Sequence, residues 1–212
     1  MTIKNEVILD QANWPARDQG LRPTCVAFAL SELNLVAATG IQALSPEYLY
    51  QGAALRTPTW IPYAGVPLGA ALAAAIEGQP SEPGYPYQPV EPSCPVPPLP
   101  KGLTRYGTTI QLSTPDPSQM IDVLRRNKPM GLGLRLTNSF YTPVDGIVAD
   151  EAVSLNNVLH AVAIVGLGWI DSDPYFLIRN SWGADWGLVG NAWLSSKYID
   201  AHSICVMEVL NG

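Results

Sequence analysis

The sequence predicts an α+β fold, a helical half leading into a β half, and three observations carry that prediction. Between Cys25 and Thr39 the only charged residue is Glu32, and the run stops at Gly40. Residues 79–100 hold nine prolines in 22 positions. After Pro129 the chain becomes a series of short apolar runs separated by turn residues. Helices followed by strands, not alternating with them, define the α+β class.

Taken in order, residues 1–20 are mixed and end in Arg17-Asp18-Gln19-Gly20. A helix is expected from Cys25, with Thr24 capping its first turn and Gly40 as its stop. Its scarcity of charge implies burial on most sides. Ser45-Pro46-Glu47 reads as a second start: a capping Ser, a Pro in the first turn and an acid beside it. A third, Ala-rich helix is expected from about Pro67 to Glu77. The proline-dense segment can be neither helix nor central strand, because each Pro lacks the N–H that either would use. It reads as an extended connection, and the boundary between two lobes is placed just after it. Asp116-Pro117 opens a short helix to about Asn127. Strands are expected at Met130–Leu136, Ala161–Ile170, Tyr175–Ile178, Ala192–Leu194 and Cys205–Val209. Asp171-Ser172-Asp173 reads as a polar hairpin turn, not as a carboxylate site.

The chain of 212 residues is long enough for a large core, in one domain or two lobes. Hydrophobic residues at 47% against 14% charged exclude a disordered chain. A net charge of −6 argues against a nucleic-acid partner, which needs a clustered positive surface. No run approaches the ~18 apolar residues of a membrane span. Met1-Thr2-Ile3-Lys4-Asn5-Glu6 lacks the apolar core of a secretory signal. Three widely spaced cysteines imply no disulfide framework and fit a reducing compartment. The expected location is the cytoplasm, with export by another route left open. No cofactor is expected. No metal site is expected either, since no Cys/His pair has ligand spacing. Oligomeric state is not legible.

A nucleophilic cysteine needs stabilisation of its thiolate, a basic partner and donors for an oxyanion. Cys25 at a helix N-terminus has the first of these, since unpaired N–H groups and the helix dipole favour negative charge there. Of the two histidines, His160 opens a buried-looking strand, where an imidazole suits an interior cleft. His202 lies in the polar turn Asp200-Ala201-His202-Ser203 and reads as exposed. Cys94 and Cys205 read as structural.

At these residues the chain resembles the papain-like cysteine peptidases. The family pattern Q-G-x-C-G-S-C-W-A-F appears altered, as Gln19-Gly20-Leu21-Arg22-Pro23-Thr24-Cys25-Val26-Ala27-Phe28. The pattern H-A-V-x-x-V-G-x-G appears as His160-Ala161-Val162-Ala163-Ile164-Val165-Gly166-Leu167-Gly168. N-S-W-G-x-x-W-G-x-x-G is intact from Asn180 to Gly190. His160 and Asn180 stand 135 and 155 residues beyond Cys25. Leu44-Ser45-Pro46-Glu47 and Gly84-Tyr85-Pro86-Tyr87 look like further landmarks.

The resemblance implies a two-lobed papain-like fold. A mainly helical lobe (10–110) would carry the nucleophile, an antiparallel β-barrel-like lobe (111–212) would carry His and Asn, and the active-site cleft would lie between them. Residues 1–212 would form one catalytic unit. It implies Cys25 as nucleophile, His160 as base and then acid, Asn180 as the group orienting the imidazole, and Gln19 as an oxyanion donor beside the Cys25 N–H. Trp182 would shield the Asn180–His160 contact, Trp186 would belong to the leaving-group side, and the Gly65 backbone would pair with an extended peptide or protein substrate.

The departures from the pattern also make predictions. Arg22 stands where the family has a cysteine, and no partner cysteine lies near Tyr63, so the helical lobe is expected to be held by packing alone. Pro23 replaces a Gly and stiffens the loop. Val26 replaces an aromatic, and Leu159 a polar residue. The expectation is a divergent member without disulfides or a pro-segment. Three functions stay open: peptide hydrolysis through a thioester acyl-enzyme, transfer of the same acyl group to an amine, and an inactive peptidase-like binding module.

Overall fold

The structure, a computed structural model, describes residues 2–210. Met1 of the N-terminal run, and positions 211 and 212 of the expected β lobe, lie outside the described residues. The chain divides into two compact units: residues 2–18 with 111–209, and residues 19–110 with Leu210. No helix among the described residues is long and apolar enough to cross a membrane.

The helical unit is built on α1 (Cys25–Asn34), α2 (Pro46–Leu55) and α3 (Leu68–Glu77). Ser45 caps α2 as its sequence suggests: its hydroxyl accepts from the Tyr48 N–H at 3.0 Å, with Pro46 in the first turn. Thr24 precedes α1, but its side chain makes no cap hydrogen bond. Leu30, Leu33, Leu49, Tyr50, Ala53, Ala71 and Ala75 are almost wholly buried and form the core. The small alanines let the helices approach closely. The proline-dense segment is tied to this core at its start. The fully buried Asn34 donates to the Ala75 carbonyl and the Gln79 side chain (2.9 and 2.7 Å), and accepts from the Thr108 N–H and hydroxyl.

This unit is not held by apolar packing alone, as the missing cysteine suggested. Arg22 is 1% exposed and ion-paired with the equally buried Glu47, while Glu91 stands 3.5 Å from its other terminal nitrogen. Its guanidinium also lies over the rings of Tyr50 and Tyr87, at 5.2 and 4.8 Å. A charge that deep persists only with partners, and here two carboxylates and two aromatic faces supply them.

The β unit is a single sheet of β1 (Lys4–Ile8), β2 (Ile110–Ser113), β3 (Met130–Arg135), β4 (Leu159–Ile170), β5 (Asp173–Arg179), β6 (Asn191–Ser195) and β7 (Ser203–Val209). The order is β2-β7-β3-β4-β5-β6. The pairings among β1 and β3–β7 are antiparallel. Along one edge of the twelve-residue β4, the first half pairs with β3 and the second with β1. Gly166 marks the change: a Cβ there would sit 2.9 Å from the Val7 carbonyl. The β4–β5 turn falls at Asp171-Ser172, as expected. Three helices accompany the sheet: α4 (Pro117–Arg125), α5 (Asn138–Tyr141) and α6 (Ser196–His202). Asp116 caps α4, accepting from the N–H groups of Ser118 and Gln119.

Two expectations fail in this unit. The sheet does not close into a barrel. Its path ends at β2 and β6, and the segment around Gly146–Val148 bonds to Trp193 and covers the β6 edge instead. His202 is not exposed either. It is 2% accessible, its Nε2–H donates to the Glu151 carbonyl at 2.7 Å, and its Nδ1 accepts from the Ser154 hydroxyl at 2.8 Å. The polar residues around it form α6, whose inner face is buried.

Candidate active site

In the β unit, the register of β4 against β3 puts His160 opposite Leu134, with the ring 6% exposed. Asn180 follows the end of β5, and its backbone N–H donates to the Gly190 carbonyl at 2.9 Å. The two side chains meet, with His160 Nε2 2.7 Å from Asn180 Oδ1. A carbonyl oxygen only accepts, so Nε2 carries the hydrogen and Nδ1 of the neutral ring holds a lone pair. The Ser181 N–H donates to the same Oδ1 at 2.9 Å, which fixes the orientation of the amide. Burial pushes the His160 pKa down to about 4, and the Asn180 hydrogen bond opposes that fall only in part. The imidazole is therefore neutral at physiological pH.

An aromatic enclosure surrounds this pair. Trp182 lies 4.7 Å from the His160 ring, tilted by 36°. On Trp182, Tyr141 stacks at 5.3 Å and Phe140 packs edge-on at 5.5 Å. Trp186 is buried, packs against Phe140 and Trp182, and donates its indole N–H to the Phe140 carbonyl at 2.9 Å. With Trp182, Tyr141, Pro143 and Asp185 it lines a pocket of this unit. A dry aromatic shell strengthens the hydrogen bond it covers.

In the helical unit, Cys25 is the first residue of α1 and is half-buried. The buried Gln19 directs its side-chain Nε2–H to the Arg22 carbonyl at 2.7 Å. The Thr24 N–H donates to that carbonyl too, at 2.8 Å. Tyr87, from the Gly84-Tyr85-Pro86-Tyr87 stretch, donates its hydroxyl to the Gln19 carbonyl at 2.8 Å, so its oxygen accepts from the Thr24 hydroxyl, also at 2.8 Å. This contact explains the missing cap: the Thr24 hydroxyl is engaged elsewhere. Burial raises the Tyr87 pKa, which keeps the phenol protonated and donating. Gly65 adopts φ +71, and a Cβ there would lie 3.6 Å from Pro23.

Cys205 is half-buried, its thiol pushed up by burial, and Cys94 is exposed. No group of three or more His, Cys, Asp or Glu able to hold a metal occurs among the described residues. The sequence patterns located His160, Asn180, Trp182 and Trp186. They gave no role to Arg22, Tyr87, Phe140 or Tyr141, whose partners are distant in sequence.

The architecture is papain-like. A structure on the mite allergens Blo t 1 and Der p 1 superposes with a TM-score of 0.75 at 21% identity, covering 96% of this chain and 70% of that one. A digestive procathepsin L2 from Tenebrio molitor gives 0.74 at 20% identity, covering 99% and 70%. The family model for papain family cysteine proteases matches residues 63–208, well over half of the chain. The chain belongs to that family. Among curated relatives, thiol protease aleurain of Arabidopsis thaliana is 40% identical over 62 residues, which is 28% of this chain and 17% of the relative. Mouse cathepsin S is 31% identical over 78 residues, 37% and 23% of the two chains. The matched stretches thus span under a quarter of these relatives. The family match takes in His160, Asn180, Trp182, Trp186 and Gly65, and it begins beyond Gln19 and Cys25.

Proposed function

We propose that the protein is a cysteine peptidase that hydrolyses peptide or protein substrates through a thioester acyl-enzyme. The Cys25 sulfur attacks the scissile carbonyl carbon. The C–S bond forms while the carbonyl π pair moves onto oxygen. The Gln19 side chain and the Cys25 N–H donate to that oxyanion. The Cys25 S–H proton passes to Nδ1 of neutral His160 as the sulfur attacks; the C–N bond then breaks, and the imidazolium so formed gives that proton to the departing amine. Water, deprotonated by His160, hydrolyses the thioester and regenerates the thiol. Asn180 orients the ring, and Trp182 keeps water from the Asn180–His160 bond. Trp186 lies on the leaving-group side, and the Gly65 backbone pairs with the extended substrate.

The observation that carries this reading is the 2.7 Å bond from His160 Nε2 to Asn180 Oδ1. It fixes one tautomer and leaves Nδ1 as the proton acceptor. The test is hydrolysis of a fluorogenic peptide library, with Cys25→Ala as control and an epoxide thiol probe to label Cys25. Turnover abolished by Cys25→Ala, with stoichiometric labelling of the wild type at that position, is the expected result. Absence of both turnover and labelling would refute the reading. Products carrying an added amine would instead identify acyl transfer.

A second reading, an inactive peptidase-like binding module, draws on the altered neighbours Pro23, Val26 and Leu159 and on the family match that starts at residue 63. It requires the biological effect to survive Cys25→Ala.

A further inference from the structure

We propose that Arg22 and Tyr87 form a non-covalent clamp that sets the geometry of the oxyanion donors, Gln19 and the Cys25 N–H, and that both act as positioning residues for acyl transfer. The inference rests on the peptidase reading and lies wholly within the helical unit.

The clamp has two arms. In the first, the Arg22 guanidinium is anchored in the interior. Nη1 donates to the Glu47 carboxylate and, at 2.6 Å, to the Gln88 carbonyl, and Nη2 reaches the other Glu47 oxygen at 3.3 Å. Glu47 also accepts from the Gln88 N–H and the Gln51 side chain, at 3.2 and 3.1 Å. Glu91 faces Nη2 and accepts from the Tyr50 hydroxyl. Burial works against the guanidinium charge, yet Glu47, with Tyr87 and Glu91, outweighs it and the Arg22 pKa is raised. The side chain is thus fixed at both ends of its fork, and the main chain of Arg22 follows it.

The Arg22 carbonyl is the acceptor for one hydrogen of the Gln19 side-chain amide. An amide NH2 is planar, so holding one hydrogen fixes the direction of the second, the one an oxyanion needs. The same carbonyl accepts from the Thr24 N–H, immediately before Cys25. The neighbouring Leu21 is 99% exposed, so the loop gains little from apolar burial. Arg22 is its internal anchor.

In the second arm, the Tyr87 hydroxyl bridges the Gln19 carbonyl and the Thr24 hydroxyl. Its ring is fixed edge-on against Phe28 of α1 at 4.9 Å and lies under the Arg22 guanidinium. Tyr87 and Gln88 are adjacent, so both arms leave one short stretch of chain and grip residues 19–24 from both sides. Gly20 turns at φ +59 between the gripped positions.

The test compares wild type with Tyr87→Phe, which removes the bridge and keeps the ring. The clamp predicts about a ten-fold fall in kcat on a fluorogenic peptide with KM nearly unchanged, an electrostatic effect on the transition state alone. Alkylation of Cys25 by iodoacetamide, which develops no oxyanion, keeps its wild-type rate. Amide hydrogen exchange of residues 19–25 speeds up about ten-fold, with α2 and α3 unaffected. A charge-neutral triple variant, Arg22→Met with Glu47→Gln and Glu91→Gln, shows the same loss of kcat. Unchanged kcat and exchange in Tyr87→Phe, or alkylation falling in step with kcat, overturns the clamp. If wild type alkylates but cleaves no peptide, the peptidase reading fails, and the exchange contrast alone decides the clamp.

Discussion

The segment around Cys25 and the segment around His160 solve one problem, immobilising a side chain of the proposed catalytic set, by opposite means. Around His160 the fixing groups are apolar and aromatic: a strand register, Phe140, Trp182 and one amide hydrogen bond. Around Cys25 they are charged or polar: a buried arginine, two carboxylates and a bridging neutral phenol. The first region keeps the Asn180–Gly190 motif intact and departs at Leu159, while the second departs at Arg22, Pro23 and Val26. Arg22 stands where the family pattern has a cysteine. Arg22 occupies that position with a network that shares its carboxylates with α2. Different chemistries therefore hold the two regions, and different perturbations should break them.

The largest effect is expected at Arg22. Removing it by Arg22→Ala leaves Glu47 and Glu91 buried without their cation. Such half-pairs typically cost about 3–5 kcal/mol, so urea unfolding should show a large drop in midpoint. The charge-neutral triple variant should recover most of it, since replacing a whole buried ion pair is often nearly neutral. A triple variant as unstable as Arg22→Ala would mean that shape, not charge balance, holds the region.

The β region should instead break with acid. His160 has its pKa lowered from 6.5 to about 4 by burial. The unfolded chain therefore binds more protons than the folded one between those values, and stability rises with pH across that window. The contribution is fully present above about 6.5 and is lost as pH falls to about 4. At ~1.4 kcal/mol per pKa unit, roughly 3 kcal/mol is at stake. The denaturant midpoint of wild type should fall relative to that of His160→Leu as pH falls through that range. Parallel curves would show that other groups set the acid limb.

How far the sequence disclosed these two regions follows from the range of their interactions. Ser45-Pro46 and Asp116-Pro117 are local devices, complete within four residues, and both helices start where they indicate. The alternation of turns and apolar runs located β3 to β7, and the intact motif located Asn180 and both tryptophans. The strand β1 was missed because Lys4–Ile8 is mostly exposed and owes its shape to pairing with β4, over 150 residues away. His202 was misjudged because α6 is short and polar, and only its inner face is buried. Arg22 was misjudged for the same reason: its partners lie 25, 66 and 69 residues downstream. Burial of a lone charge cannot be inferred until those partners are known.

Asn180 allows a finer cut within the β region. Its Oδ1 takes two hydrogen bonds, from His160 and from the Ser181 N–H. In Asn180→Ala both donors lose their acceptor in a buried site, at about 1–3 kcal/mol. Stability should fall by that order, and kcat by about ten- to a hundred-fold as the ring loses its fixed tautomer. The alkylation rate of Cys25 should fall with kcat, whereas Tyr87→Phe should leave it unchanged. That contrast separates the two ways of holding a reactive group within one assay.

The smallest effect is expected where the β unit also uses an arginine–carboxylate pair, on its surface. Arg125 Nε donates to Glu6 at 2.7 Å, with half of the arginine side chain and a third of the glutamate exposed. Hydrogen bonds from Arg125 and then Trp169 lower the Glu6 pKa. Its contribution is therefore present above the usual carboxylate range and lost as pH falls through the lowered value. Water screens such pairs, and most contribute little. Glu6→Gln should leave the urea midpoint within reproducibility, and any residual change should vanish in high salt. The pair Arg22–Glu47 has the same chemistry with the opposite environment, so its variants should respond strongly and be indifferent to salt. If both pairs answered alike, burial could not be what makes the Cys25 region depend on charge.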